Sequence, residues 1–499
     1  MNNFSHSSMP VVDQVKLQRN ALVTLLMVLA IIIAFMAFKT GNLIIMAGFV
    51  ALPFVLLLMC RPEVAFIIAI MLDATRMQVP GISYTTLGLI AKVIVIGSAF
   101  LATMLGQRHV SKLEVKERKP LKWFVFIIIA LIIGRGSGLR MLGSETWGGM
   151  VYIVMLSGIA FFHAIQGLTI TSKQFRILVW GALLAGFFGT LTSRSGFMTE
   201  VAIGQVSEIN QARLNWLQPI AYAAFPLVFA IKWKKWVSPI VWLICIGLIA
   251  LTGFRSKLIG FVAITVIYGL FRSQSRIKYC VLMAVTGLLA WGAIILVVQQ
   301  LPLGIQRAVS FVPGVKVSHE ASFNAEGSVD WRVEIWKYCL EQAPQYLVLG
   351  RGSTFNAQET ASGLGSHDIA TFSPWFAFET RSYHSGPLTL LVDYGLAGLI
   401  VGIWLTFVIV RRFLKAANWL GKNDTFESRY TLYFISQLIW MWPAFFLVYG
   451  DAPGLSKLIA NTAAAIVLIT SAKILVDKEN DRDLGIPHLM QHIEEKSEN

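Results

Sequence analysis

The chain has 499 residues, of which 56% are hydrophobic and only 14% charged; its mean hydropathy is +0.66. A soluble domain carries roughly 25% charged residues, so this composition excludes an ordinary soluble enzyme and points to an all-α polytopic membrane protein. The net charge of +15 would suit a nucleic-acid partner, but its distribution along the chain assigns it to membrane topology instead, and no nucleic acid is expected.

Apolar runs near twenty residues recur from end to end, long enough to cross a ~30 Å hydrocarbon core as helices. In chain order they predict helices at 20–38, 43–60, 62–72, 83–105, 121–133, 148–168, 174–190, 214–231, 237–253, 257–271, 278–298, 385–410, 428–447 and 457–474, about 14 transmembrane helices. The third and fifth are short. The first follows Lys16 and Arg19 with no small-residue cleavage site and reads as a helix, not as a removed signal peptide. With the N-terminus inside, the inner segments hold 26 Lys and Arg and the outer ones 15, with Lys92 inside a helix. That bias is the positive-inside pattern. The resulting domains are helices 1–11 over 1–298, an outer loop domain over 299–384, helices 12–14 over 385–476 and a cytoplasmic tail over 477–499.

The 86-residue segment 299–384 breaks the alternation of helix and short loop, and a connection that long is usually functional. Within it, "SVDWRVEIWKYCLEQAP" places Val329, Val333, Trp336, Leu340 and Ala343 on one helical stripe, with Ser328 as the N-cap, Asp330 in the first turn and Pro344 as the stop. The following "LVLGRGSTF" puts glycines on either side of Arg351, a turn whose backbone N–H groups could face an anion. The segment holds six Lys and Arg against eight Asp and Glu, so no blanket basic field draws anions in. Of four cysteines only Cys339 lies in this segment, which leaves no outer disulfide framework. No Cys/His group has zinc spacing and no Walker-type loop is present, so neither a metal nor a nucleotide cofactor is expected.

Four outer elements carry the residues suited to chemistry: Arg255 with Lys257 in "LTGFRSKLIG", Arg332 with Trp336, the "GRG" turn around Arg351, and His384 in "RSYHSGPLTLLVDYGLAGL". A second outer loop, 191–213, adds Arg194 and Arg213. Arginine offers a planar fork for phosphate oxygens, and histidine is the side chain best poised to take a proton from a hydroxyl near neutral pH. Taken singly, each has a plainer reading: Arg255 as a snorkelling anchor, Arg332 as the partner of Asp330, Glu334 or another carboxylate, His384 as an interfacial residue. Gly398 and Gly402 form a helix-packing pattern, and Asp393, a charge within a helix, reads as structural or gating.

Order and spacing favour chemistry. The series "TGFRS", then "WRVEIWKYCLEQAPQYLVLGRG", then "YHSGPLTLLVDYGLAGL" resembles the O-antigen ligase and polymerase superfamily across about 250–405. It departs from the common pattern in "HSG", where many members have "HN", and in "GFRSK", where a small residue often precedes the arginine. The resemblance implies a GT-C-like fold with a large, partly helical periplasmic loop in the bacterial inner membrane. The activity it implies is metal-independent, inverting transfer of an undecaprenyl-diphosphate-linked glycan to a sugar hydroxyl on a glycan acceptor. Carried over by position, the catalytic histidine falls on His384 and the diphosphate-binding arginines on Arg255 and Arg332, with Arg213 and Arg351 as weaker candidates. Beyond donor, acceptor and membrane lipids, a chain-length regulator and a flippase are the partners such a system implies. Helix count and loop size lean towards a polysaccharide polymerase over an O-antigen ligase. A lipid-linked oligosaccharide transporter is the alternative from another class, disfavoured by the lack of an internal repeat and by only two clearly mid-helix charges, Lys92 and Asp393.

Overall fold

Without water to satisfy it, the backbone of each apolar run has to bond to itself, and helices are the result. A computed structural model describes residues 58, 61–75, 84–104, 116–135, 149–202, 214–234, 236–352 and 374–483. The described residues before the long loop form α1 (Pro62–Thr75), α2 (Tyr84–Met104), α3 (Arg118–Arg135), α4 (Gly149–Ala164), α5 (Ser172–Ala202), α6 (Gln218–Ala230), α7 (Val237–Leu251), α8 (Arg255–Arg272) and α9 (Arg276–Val297). Each falls on an expected helix; those expected at 20–38 and 43–60 lie outside the described residues. Among the described residues, five helical stretches are long and apolar enough to cross a membrane: Leu87–Met104, Ser172–Arg194, Arg276–Gln300, Gly386–Leu420 and Ala452–Asn480.

The long segment contributes α10 (Leu303–Val309), α11 (His319–Gln342) and α12 (Pro374–Glu379). It is followed by α13 (Gly386–Leu388), a π-helical turn (Thr389–Asp393), α14 (Tyr394–Leu420), α15 (Phe426–Leu447) and α16 (Ala452–Asp483). Three expected boundaries need correction. Helix α5 runs on to Ala202, well into the expected outer loop, and α14 continues past residue 410 to Leu420. The helix expected over 385–410 is broken instead of continuous: Gly395 sits at φ 73°, ψ −177°, a conformation that only glycine adopts without strain.

Helix α15 lies at the centre, packed against α6, α8, α14 and α16, with Trp442 fully buried and its indole N–H donating to the Thr462 hydroxyl at 3.0 Å. Helix α9 stands apart, with Val281, Leu282, Leu288, Leu289 and Leu296 exposed, as suits a helix facing lipid tails. Polar contacts collect at the two ends. At one, Lys232, Arg272 and Arg429 converge on Asp424 and Arg412 pairs with Glu117 at 3.0 Å. These belong to the segments expected on the inner face. At the other end lie Arg255, His384 and Asp451.

The long segment has a small apolar core of its own, in which Ile335, Cys339 and Ala343 of α11 meet Ala377, Phe378, Tyr383, Leu388 and Val392. This corrects the expected stripe. Val329, Val333 and Leu340 are exposed, and of the five residues only Trp336 and Ala343 face the core. The helix also begins ten residues earlier than Ser328. Ser318 is its cap, accepting from the Ala321 N–H, and Ser328 lies mid-helix. Pro344 does end it: Gln342 is the last helical residue and a 3-10 turn follows.

Candidate active site

Three local features aim His384. First, the peptide before it is held on both sides: the Trp336 indole N–H donates to the Tyr383 carbonyl at 2.9 Å, and the Tyr383 hydroxyl donates to Asp393 Oδ1 at 3.0 Å. Second, Arg381 and His384 both take left-handed backbone conformations, φ 59° and 52°, which cost energy for residues other than glycine and persist where the surroundings impose them. Third, the imidazole is flanked by the rings of Trp331 at 5.3 Å and Tyr449 at 5.0 Å. Burial, and then the Arg332 charge, push its pKa below the ordinary imidazole value, with Asp451 acting the other way. A neutral imidazole is the form that can accept a proton.

His384 and Arg332 line one cavity of about 610 Å³. Phe254, Ser256 and Lys257 at the start of α8, Tyr449 and Asp451 between α15 and α16, Tyr222 of α6, and Asp73, Lys92 and Lys457 complete its polar and aromatic wall. Among the described residues no carboxylate forms an ion pair with Arg332, so its expected pairing with Asp330 or Glu334 is absent. Arg255 sits one position from this wall. Its guanidinium donates to the Ala325 carbonyl at 2.9 Å and the Ser328 hydroxyl at 3.0 Å, which ties α8 to α11.

Arg255 and Arg332 lie within electrostatic reach of each other, and Arg307 of α10 joins them. Burial, then Arg255 and Arg332, lower the Arg307 pKa. Among the described residues no carboxylate pairs with any of the three, and arginines drawn together so are costly unless an anion is part of the design. Arg307 was not singled out from the sequence. The signal was an arginine at the start of a loop that is otherwise slightly acidic. Asp451, also missed, lies 67 residues after His384 in sequence; its Oδ1 accepts the Gly454 N–H at 2.6 Å, capping α16, and its Oδ2 accepts the Tyr449 hydroxyl at 3.0 Å.

One expected ligand of a diphosphate falls elsewhere. Arg351 is buried away from the cavity, forked between the Glu379 carboxylate and the Phe378 carbonyl and stacked on the Phe378 ring at 4.5 Å. The backbone N–H groups of its turn are engaged too: Arg351 N–H donates to Val392 O at 2.6 Å and Gly352 N–H to Asp393 O at 3.1 Å. The "GRG" turn is thus a clasp across the helix break at Gly395, not an anion nest. Arg213 lies outside the described residues. Arg194 stacks over Trp216 at 5.3 Å. Asp393 is buried at the break, bonded to Tyr383 and 3.9 Å from Arg381, whose guanidinium also donates to the Gly352 carbonyl. This fits the structural reading of Asp393.

Gly398 and Gly402 are buried where α14 folds back on the π-helical turn. A methyl group at Gly402 would collide with Leu390, which accounts for the small-residue spacing as packing.

Residues 240–403 match a family model described as O-antigen ligase. No curated protein matches the chain significantly. The match spans α7 to α14 and so contains Arg255, Arg307, Arg332 and His384. Over that stretch, about a third of its length, the chain is similar to O-antigen ligases, and the apolar helices suit a multi-pass membrane protein.

Proposed function

We propose that this chain is an inverting membrane glycosyltransferase that moves a glycan from a polyprenyl diphosphate to a sugar hydroxyl. One observation carries the reading: a histidine whose burial favours the neutral form and an arginine that no described carboxylate pairs with face the same cavity, with two further arginines within electrostatic reach of the latter.

In the proposed step, the acceptor hydroxyl gives its proton to the His384 imidazole as its oxygen attacks the anomeric carbon. The bond from that carbon to the diphosphate oxygen breaks, and the electron pair leaves with the diphosphate. Arg332, with Arg255 and Arg307, stabilises the charge that develops there, the kind of electrostatic effect that usually dominates such catalysis. The arginine fork suits paired phosphate oxygens better than a lysine would. Trp331 and Tyr449 shield the imidazole and favour its neutral form. Arg351 has no part in this step, its donors being held by Glu379 and Phe378.

Within this class we read the protein as a polysaccharide polymerase, joining lipid-linked repeats. The description of the matched family favours a ligase that attaches finished chains to another acceptor. Glycan analysis of the native host with and without the gene separates the two: single-repeat products mark a polymerase, and long unattached chains a ligase. The transfer itself is tested by His384→Gln in purified, reconstituted protein. Loss of turnover by about 10²-fold or more at unchanged protein level is expected. Normal turnover would overturn the base assignment.

A further inference from the structure

Beneath His384 the cavity continues inward. A pocket of about 180 Å³ shares Asp73, Tyr222, Ser256, Lys257 and Lys457 with the larger one and adds Gln437, Trp440 and Asn461. Three helices bring charges there, Asp73 from α1, Lys257 from α8 and Lys457 from α16, and Lys92 from α2 joins them on the wall of the larger cavity. Lys457 Nζ lies 3.0 Å from Asp73 Oδ1 and donates to the Asp73 carbonyl at 3.3 Å. Lys92 lies within electrostatic reach of both. Ionisable side chains among membrane-spanning helices are expensive to keep and mark function by default. Among the described residues, one carboxylate lies near both the Lys92 and Lys457 ammonium groups, and along the wall of the larger cavity four cations (Lys92, Lys257, Arg332, Lys457) face two carboxylates (Asp73, Asp451).

We propose that the inward half of the cavity is a sugar subsite, and that the sugar it takes carries a carboxylate. This deepens the transferase reading and rests on it, since it names the class of glycan handled. The surplus ammonium asks for an anion. Its surroundings are those of a sugar ring: the Gln437 and Asn461 amides can bond hydroxyls while Trp440 offers a ring face. A diphosphate is better served by the arginine fork of Arg332 on the cavity wall, with Arg255 and Arg307 within electrostatic reach, whereas a compact ammonium suits a single carboxylate. Asp73, Lys92, Gln437, Trp440, Lys457 and Asn461 all fall outside residues 240–403; of the inner pocket's residues named above, only Ser256 and Lys257 lie within the matched family region.

The test uses the full chain in lipid nanodiscs and a saturation-transfer NMR titration with three probes: glucuronic acid, glucose and inorganic pyrophosphate. Glucuronate should bind about tenfold more tightly than glucose, the worth of one charge-assisted contact. Lys92→Gln should erase that preference, and Asp73→Asn should strengthen it. A folding defect would weaken both variants, so opposite signs identify the subsite. Pyrophosphate binding should survive Lys92→Gln and be lost in Arg332→Ala. Equal binding of glucose and glucuronate would overturn the proposal. So would loss of pyrophosphate binding in Lys92→Gln, which would place the lysines in the diphosphate site. None of these readings needs turnover. Normal transfer by His384→Gln would sink the base assignment while leaving glucuronate binding intact.

Discussion

The indole N–H of Trp336 donates to the carbonyl oxygen of Tyr383 at 2.9 Å, so a helix of the long segment grips the residue immediately before His384. The other side of that residue is held by the membrane-embedded part, where the Tyr383 hydroxyl reaches Asp393 at 3.0 Å. The candidate base is therefore suspended between the loop core and the helix break. Trp336→Phe keeps the ring and loses the donor, leaving a carbonyl without its partner, a change worth about 1–3 kcal/mol. We expect kcat to fall about tenfold, with KM changed much less and protein level unchanged. An unaltered kcat would show that the grip does not position His384.

Arg332→Lys separates a fork from a charge. If Arg332 holds a diphosphate through two N–H groups, lysine keeps the charge but cannot reproduce the paired contact. Turnover of Arg332→Lys in reconstituted membranes should then fall nearly as far as that of Arg332→Ala. Full activity in the lysine variant would leave Arg332 only a generic electrostatic role.

The pH profile carries a signed expectation. Burial and Arg332 lower the His384 pKa, while Asp451 raises it. The active form is the neutral imidazole, so the acid limb of kcat/KM should lie below the ordinary value of 6.5. Asp451→Asn removes the neighbour that favours the charged imidazole and should move that limb to lower pH; asparagine also preserves the cap on α16. Arg332→Gln removes the neighbour that disfavours it and should move the limb to higher pH in whatever activity remains. Shifts in the reverse order would detach the limb from His384.

Much of the fold was legible because apolar run length alone dictates a helix in lipid, and twelve expected runs fall on helices here. The break at Gly395 was not legible, since it depends on a clasp by residues 347–352 that no local pattern announces: Leu396 N–H donates to Leu347 O at 2.8 Å. The frame of α11 was misread for a related reason. Its buried face is chosen by α12 and by residues 383–392, and an amphipathic pattern with Trp331, Val333, Ile335 and Trp336 in close succession permits more than one face. Of the site, His384, Arg332 and Arg255 were readable from order along the chain. Arg351 was read as a ligand because Glu379, 28 residues on, gives no sequence sign of being its partner. Asp73 and Asp451 come from opposite parts of the chain and could be joined to the site only by folding.

Gly395→Ala tests the clasp through stability. A methyl group there would stand 3.0 Å from the Gly350 nitrogen and the Val348 oxygen, and φ 73° with ψ −177° is strained for alanine, at a cost of about 1–3 kcal/mol. The variant should unfold at lower temperature in detergent. Gly247→Ala is the matched control. It lies within α7, where an added methyl meets nothing within 4 Å, and helix propensity favours alanine by about 1 kcal/mol. Equal melting of the two variants would mean that the break tolerates a side chain.

Topology decides whether the candidate site can meet its substrates. The 26-to-15 bias of Lys and Arg predicts that the termini and the segments 106–120 and 411–427 lie inside and 299–384 outside. Glu117 bonded to Arg412, and Arg272 bonded to Asp424, put the inner segments together at one end, away from Arg255 and His384 at the opposite ends of their helices. A membrane-impermeant thiol reagent applied to intact spheroplasts should therefore label a cysteine introduced near residue 360 and spare one near residue 115. Labelling at 115 with protection at 360 would invert the chain. His384 would then open to the cytoplasm, out of reach of a donor whose glycan is carried on the outer leaflet, and the proposed transfer would fail with the topology.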